Sequence, residues 1–279
     1  MSTPFVCPLC GGPFARTDRA LRCQKGHSFD ISAAGYVHLM PANRLHAKNP
    51  GDDAGMVAAR AEFLSAGWYA PLREALAARI AADLPKNGTL LDAGCGEGYY
   101  TAGAAEARPD LQLCAVDLSK YALRRAAKRL PGAHLALCSV YRLPLGDKSL
   151  DGLMDVFSPV APEEYARVLR PGGLFYYVTP APRHLWELKQ VLYATPYENK
   201  AENADYPGFE RVEVVPVRYR VTLDSQGQID ALFKMTPYSY RTPAAGREKL
   251  ARLDRLECAL EFDLHILRKI GEQNEKSTV

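Results

Sequence analysis

The chain has 279 residues, 47% of them hydrophobic and 24% charged, with seven cysteines and a formal net charge of +3. That balance excludes a disordered or collagen-like chain, and at roughly 100–200 residues per domain it allows one large domain or one domain with a small module. There is no run of roughly 18 uncharged apolar residues and no basic, apolar leader at the N-terminus, so no membrane span and no secretory signal are expected. A cytoplasmic protein follows, in which cysteines serve as metal ligands or free thiols more often than as disulfides.

A net charge this small does not point to nucleic acid on its own. Its distribution is uneven, however. Residues 1–50 carry six Lys/Arg against two Asp, so the positive surplus sits in the N-terminal fifth. Both a solubilising basic tail and an electrostatic footprint for a polyanion fit that pattern. The same segment holds a cysteine cluster. Cys7-Pro8-Leu9-Cys10 is a C-x2-C knuckle, and Cys23 and His27 follow as C-x3-H. Two short-spaced pairs joined by a hairpin supply the four S and N donors of tetrahedral zinc and leave no position open. A structural site for one Zn2+ per chain is expected. So short a segment cannot bury a sufficient core, and a metal supplies the missing folding energy. Phe29, Ile31, Tyr36, Val37 and Leu39 are expected to close the module's own core. His38 and His46 are expected on the surface, and Pro41 with the polar run to Asp53 reads as a linker.

From Asp53 the pattern turns helical, through Met56, Arg60 and Phe63-Leu64. A break at Gly67-Trp68-Tyr69 precedes Leu72, Leu76, Ile80 and Leu84, which recur every four residues and make one apolar helix face. Pro85, Asn87 and Gly88 stop that helix. A short apolar strand then ends in Asp92 and runs into Gly94-Cys95-Gly96-Glu97-Gly98, a glycine loop that opens a helix and leaves backbone N–H groups free for a ligand. Nicotinamide- and adenosine-binding folds share such a loop. A second strand, 111–116, ends in Asp117, where a ribose-binding acid belongs, and Ser119 can cap the next helix. Strands follow at 134–139, 151–157 and 174–179, with a helix at 163–169 halted by Arg170-Pro171-Gly172-Gly173. Two β-rich segments, 209–223 and 256–267, close the chain. This is an α/β pattern: a Rossmann-like doubly wound sheet with an antiparallel C-terminal edge, plus the small N-terminal zinc-binding module. The expected domains are 1–40, the zinc module; 41–85, the linker and helical bridge; and 86–279, the main domain. On helix spacing, Lys120, Arg124 and Lys128 read as a solvated face, and Cys95, Cys114, Cys138 and Cys258 as small buried residues.

Taken together, Leu91-Asp92-Ala93-Gly94-Cys95-Gly96-Glu97-Gly98, Asp117, Leu143-Pro144-Leu145 before Asp151, and Leu169-Arg170-Pro171-Gly172-Gly173 resemble the class I S-adenosylmethionine-dependent methyltransferases. Further marks run the length of the chain: Cys7-Pro8-Leu9-Cys10 with Cys23 and His27, Phe29-Asp30, Gly35-Tyr36-Val37, Pro50-Gly51-Asp52, Gly67-Trp68-Tyr69, Gly96 to Thr101, and Thr179 to Leu185. With these the chain resembles the bacterial 23S ribosomal RNA (guanine-N1)-methyltransferases. The resemblance implies S-adenosylmethionine as cofactor, a zinc module that recognises a ribosomal RNA hairpin, and a homodimer. It implies that Asp92, Gly94, Gly96, Glu97 and Gly98 form the cofactor loop and that Asp117 holds the ribose hydroxyls. Tyr69 and His184, which spacing alone does not single out, would fold over the cofactor.

Guanine N1 lies on the pairing edge, so the base must be unpaired or flipped out, and its proton must leave. Phe157 at the exit of the fourth strand either stacks on a base or packs as a core aromatic. Asp155 and Glu163 are conceivable proton acceptors, and no catalytic base is assigned. Two other functions stay open at this stage: a methyltransferase of a small molecule, and a non-enzymatic zinc-containing RNA-binding protein. The basic zinc module disfavours the first, and the intact glycine loop with Asp117 disfavours the second.

Overall fold

The computed structural model describes residues 3–40, 51–202 and 205–271. The chain begins with a small antiparallel sheet of β1 (Phe14–Arg16), β2 (Ala20–Cys23) and β3 (Ser28–Asp30). The Thr17 hydroxyl closes the first turn, donating to the Ala20 carbonyl at 3.0 Å, and Phe14 meets Phe29 edge to face at 5.6 Å. The next strand, β4 (Val37–His38), leaves this sheet and joins a different one. The expected linker, with His46, lies outside the described residues as far as residue 50.

The helical bridge forms as its periodicity predicts. Asp53 caps α1 (Ala54–Ser65), its carboxylate accepting from the N–H of Gly55 at 2.8 Å and of Met56 at 2.9 Å. In α2 (Ala70–Asp83), Pro71 sits in the first turn, where no N–H is needed, and Leu72, Leu76 and Ile80 are buried. The main domain alternates β5 (Thr89–Ala93), α3 (Tyr99–Ala107), β6 (Gln112–Asp117), α4 (Lys120–Arg129), β7 (His134–Leu137), β8 (Leu150–Val156), α5 (Pro162–Val168), β9 (Leu169–Pro180) and α6 (Trp186–Leu192). Then come β10 (Phe209–Leu223), three short helices, α7 (Gln226–Met235), α8 (Tyr238–Arg241) and α9 (Ala244–Ala251), and β11 (Leu256–Lys269).

The large sheet has the order β10-β11-β9-β8-β5-β6-β7-β4. It is parallel from β4 to β9, and antiparallel only where β11 joins β9 and β10 joins β11. This is the doubly wound sheet with an antiparallel edge. Every residue of β8 is buried, as a central parallel strand covered on both faces requires. Between β5 and β8 the winding reverses, which opens a crevice at the carboxyl ends of the strands. One boundary differs from expectation. The Arg170-Pro171-Gly172-Gly173 corner is taken into β9, which starts at Leu169, with Gly172 at φ 80°.

The zinc module does not close a core of its own. Val37 and His38 pair in parallel with Ala136 and Leu137, so β4 forms the eighth strand of the main sheet and His38 is half-buried there. Val37 and Leu39, together with Phe5, Leu21 and Phe29, share one buried cluster with Leu91, Val116 and Leu153 of the main domain. Tyr36 packs with Leu123, Leu130 and Leu135 instead. The cause is area. The module is too small to bury these side chains by itself, whereas the open edge of β7 offers both backbone partners and apolar surface. A second seam holds the other end of the module. Val6 N–H donates to the Pro144 carbonyl at 2.8 Å, Phe5 bridges Leu145, and the Arg142 guanidinium donates to the Pro8 carbonyl at 3.1 Å. From the other side, Arg167 holds the same segment by donating to the carbonyls of Leu143 and Leu145.

A consequence is testable by unfolding. Leu39 is 1% exposed, and removing a buried leucine side chain costs about 2–5 kcal/mol. Both tryptophans, Trp68 and Trp186, lie outside the module. Leu39→Ala is expected to lower the denaturation midpoint followed by tryptophan fluorescence. An unchanged midpoint would mean that the module is an independent unit.

Candidate active site and metal centre

In the N-terminal module, Cys7, Cys10, Cys23 and His27 bring their donor atoms within 4.8 Å of one another. His27 Nδ1 is 3.5 Å from Cys7 Sγ and 3.3 Å from Cys23 Sγ, and the sulfurs of Cys10 and Cys23 are 3.6 Å apart. Tetrahedral zinc with bonds of about 2.3 Å to sulfur and about 2.05 Å to nitrogen sets S···S near ~3.8 Å and S···N near ~3.6 Å. The donor set and its spacing therefore fit that metal without rearrangement. Two tight turns hold it. The Gly11 N–H donates to the Cys7 carbonyl at 2.8 Å, and the Gly26 N–H donates to the Cys23 carbonyl at 2.9 Å. Burial opposes ionisation of Cys23, yet N–H groups of His27 and Lys25 aimed at its sulfur bring it down to about 7. Around the cluster Arg16, Arg19, Arg22 and Lys25 are all exposed.

The crevice above the sheet is a cleft of about 880 Å³. Tyr69, Asp92, Gly94, Gly96, Glu97, Asp117 and His184 all line it. Gly98 does not. It stands at φ 79° at the start of α3 with its back to α4, where a Cβ would lie 2.8 Å from Leu130. Its absent side chain lets two helices approach. At Gly94, φ 82°, a Cβ would lie 2.5 Å from the Ser158 hydroxyl, so the loop after β8 closes directly onto the glycine loop. Ser158 Oγ donates to the Ala93 carbonyl at 2.8 Å and fixes that approach.

The carboxylates of the cleft differ in what they have left to offer. Asp117 accepts from the N–H of Gly96 at 2.8 Å and of Ser119 at 2.7 Å, tying the glycine loop to the end of β6. Each oxygen keeps a further lone pair for a hydroxyl donor. Glu97 is buried. One of its oxygens accepts from Arg129 at 2.9 Å, and the other has no partner among the described residues. Burial pushes its carboxyl up, against the pull of Arg129, Arg125 and Arg60. The Tyr100 hydroxyl, also facing the cleft, is likewise without a partner. Orphaned buried polar atoms in a concave site are what a polar ligand satisfies. Asp155 is different. It accepts from the Ser158 N–H and, at 2.7 Å, from the Tyr165 hydroxyl, shares the single Ser158 hydroxyl proton with the Ala93 carbonyl, and is fully buried. It holds the β8 exit in place and, being fully buried, is not among the residues that line the cleft. Glu163 is exposed on α5.

Tyr69 and His184, 115 residues apart in the chain, meet at 3.4 Å between the Tyr69 hydroxyl and His184 Nε2. The Glu261 N–H donates to His184 Nδ1 at 3.2 Å, so that nitrogen carries no proton. Burial, with Lys189 nearby, drives His184 down to about 3, and the ring is neutral with its proton on Nε2. The Tyr69 ring also meets Phe157 and Phe262 edge to face. Phe157 is 45% exposed with φ 60°, a left-handed conformation that a phenylalanine rarely adopts.

Residues 5–48 match the zinc-ribbon family described as "RlmA, N-terminal", and residues 91–177 match a methyltransferase domain. The 23S rRNA (guanine(748)-N(1))-methyltransferase of Streptomyces fradiae is 43% identical over 189 residues, 67% of this chain and 66% of that protein. Bacillus subtilis (strain 168) YxjB, which carries guanine-N1 methylation of 23S rRNA as a provisional assignment, is 31% identical over 279 residues, 94% of this chain and 96% of that protein. The chain belongs to the 23S rRNA (guanine-N1)-methyltransferase family. Among solved structures, the YcgJ protein from Bacillus subtilis superimposes with a TM-score of 0.48 at 17% identity, covering 70% of this chain and 98% of that one.

In this family member the spacing of the sequence leaves several cleft residues unannounced. Asp52 and Arg60 form an ion pair at the rim, and the Asp52 carbonyl accepts from the Ser119 hydroxyl at 2.7 Å, so the start of the bridge folds back over the end of β6. No motif signals this contact, because it joins a loop to a helix face across the fold. The short helices after β10 contribute Met235 to Tyr238, and the segment after α6 contributes Tyr197 and Asn199.

Asp92 links the site to pH. It lies under the glycine loop, accepts from the Thr101 hydroxyl, and is 2% exposed. Burial, with Asp155 and Asp117 adding repulsion, pushes it from 3.8 up to about 7. A carboxyl raised in the folded state favours folding most where it is protonated. Its contribution is complete below about pH 4 and is lost as pH climbs through about 7. Asp92→Asn, which cannot ionise, is expected to gain stability relative to the parent chain as pH rises from 4 to 8, read from urea unfolding across that range. A constant difference between the two would show that Asp92 titrates normally.

Proposed function

We propose that this enzyme transfers a methyl group from S-adenosylmethionine to N1 of a guanine in 23S ribosomal RNA, with the zinc module aiding RNA recognition. One observation carries the reading: the module is seamed onto the rim of the cleft. Arg142, which grips the Pro8 carbonyl of the zinc knuckle, adjoins Tyr141, which lines the cleft. The zinc knuckle therefore sits beside the cleft mouth, a placement that would let one RNA engage both and that a small-molecule enzyme does not need.

The residues fit the roles. Asp117 would receive the ribose hydroxyls, and Glu97, with its orphaned oxygen, a hydroxyl or ammonium donor of the cofactor. Gly94 and Gly96 would let the backbone pass beneath it, and Asp92 would underlie the loop. Tyr69 and the neutral His184 would close over it without adding positive charge beside the sulfonium. S-adenosylmethionine supplies an electrophilic methyl on sulfur. The protein's part is alignment and exclusion of water, with Phe157 offering an exposed ring to the acceptor base. Asp155 does not line the cleft and Glu163 is exposed on α5, so neither is assigned as the acceptor of the N1 proton, which ends in solvent. The domain division at 40 and 85, one zinc per chain, a homodimer and a cytoplasmic location belong to the same reading.

The test is labelled cofactor with unmodified 23S rRNA, followed by nucleoside analysis. Label in 1-methylguanosine is expected, and label confined to other nucleosides or to small molecules would overturn the assignment. In the same system Asp117→Ala should weaken S-adenosylmethionine binding by about 1–3 kcal/mol, the scale of hydrogen bonds to a charged acceptor. Calorimetry showing unchanged affinity would remove Asp117 from the site. Metal analysis should find one zinc per chain, and Cys23→Ser should lose it, since a module this small cannot spare a ligand. Zinc retained in that variant would show that the four residues are not the ligand set.

A further inference from the structure

Lys189 on α6 is fully buried, and among the described residues no carboxylate lies within ion-pair distance of it. A lysine in that position is unfavourable unless its donors are used. They are used on one segment. The ammonium donates to the Tyr197 carbonyl at 3.0 Å and to the Asn199 side-chain oxygen at 2.7 Å. It also sits over two rings, 4.7 Å from the centroid of Tyr197 and 5.5 Å from that of Tyr238. Asn199 completes the clamp: its amide donates to the Ala181 carbonyl at 2.9 Å, and its N–H donates to the Pro182 carbonyl at 2.8 Å. Both ends of the Asn199 amide are thus engaged by protein. Tyr197, Asn199 and Tyr238 all line the cleft. Tyr197 is 48% exposed, and with Tyr141 at 64% and Phe157 at 45% it is one of three large exposed aromatic side chains in that lining.

We propose that Tyr197 forms a wall of the subsite that receives the unpaired acceptor purine, and that Lys189 is the positioning residue that holds this wall. The inference rests on the RNA methyltransferase reading above and names where in the cleft the base is received. An irregular segment supplies a stacking surface only if its backbone is fixed, and here one buried cation fixes it from behind. A ring facing solvent with an ammonium pinned to its hidden face is ready for a base before the RNA arrives, so little ordering remains to be done on binding. The reaction itself balances without Lys189: the N1–H proton goes to solvent, the N1 electron pair forms the N–CH3 bond, and the S–CH3 pair stays on sulfur.

The test uses the full chain, a 23S rRNA fragment and S-adenosylmethionine, with Lys189→Met, Lys189→Arg and Tyr197→Ala. Lys189→Met relieves the cost of a buried charge but strips two oxygens of their donor, so its thermal midpoint serves only to establish that the variant is folded. Affinity for S-adenosylmethionine by calorimetry should stay within twofold of the parent. Against that background, Lys189→Met should raise KM for RNA or lower kcat/KM at least tenfold, with Lys189→Arg recovering part of the loss. Tyr197→Ala, which truncates an exposed ring, should raise KM for RNA at least fivefold. A folded Lys189→Met with parental kcat/KM overturns the proposal. So does a Tyr197→Ala with parental KM, which decides the matter should Lys189→Met fail to fold. If the parent chain itself forms no 1-methylguanosine, the underlying reading falls, and that outcome is distinct from parental activity in the variants.

Discussion

The rest of the architecture depends on a shortage of apolar area in the first forty residues. Three short strands and a Cys3His cluster give the N-terminal segment a shape, but Phe5, Val37 and Leu39 find their burial only against the large sheet. Backbone pairing follows the same route, since β4 takes the open edge of β7. Once that edge and the Leu143–Leu145 segment are both engaged, the module has no freedom to swing on a tether. Its basic loops are carried at a fixed offset from the cleft. Through the described residues the module and the sheet are packed as one body.

In and beneath the cleft, three carboxyl groups, Asp92, Glu97 and Asp155, share a poorly solvated region with the half-buried Asp117. Burial pushes all four upward, and the protein handles each differently. Asp117 is stabilised by two backbone N–H donors, Glu97 by an arginine, and Asp155 by a serine and a tyrosine, while Asp92 is left to Thr101 and the repulsion of its neighbours. A cationic cofactor entering this space meets an environment already biased toward positive charge. His184 stays neutral, so it does not compete with that bias.

How much of this was legible in the sequence depended on range. Leu72, Leu76 and Ile80 announced α2 because a helix repeats its buried face every turn. The glycine loop and Asp117 were legible because strand-turn-helix units keep their spacing. The four metal ligands could be read for the same reason, being two local pairs. Tyr69 and His184 were named through resemblance alone, since nothing local in either says that they meet across 115 residues. Tyr36, Val37 and Leu39 were assigned to the wrong core because periodicity states that a residue is buried and not against what. Lys189 and Asn199 carried no signal at all, and Asp52 was named only as part of a family mark. Their significance lies in contacts between loops and helix faces, which no period encodes.

The position of β4 has a thermodynamic consequence. A ligand that binds only the folded state stabilises everything that unfolds with it, by an amount that grows with the logarithm of its concentration. Because a strand of the main sheet follows directly on the Cys3His module, occupancy of the metal site and integrity of the methyltransferase sheet belong to one cooperative equilibrium. The catalytic half of the molecule, which contains no metal ligand, thereby inherits a dependence on the metal supply of its surroundings. Starving the chain of metal is expected to lower the stability of the whole sheet and not of the module alone.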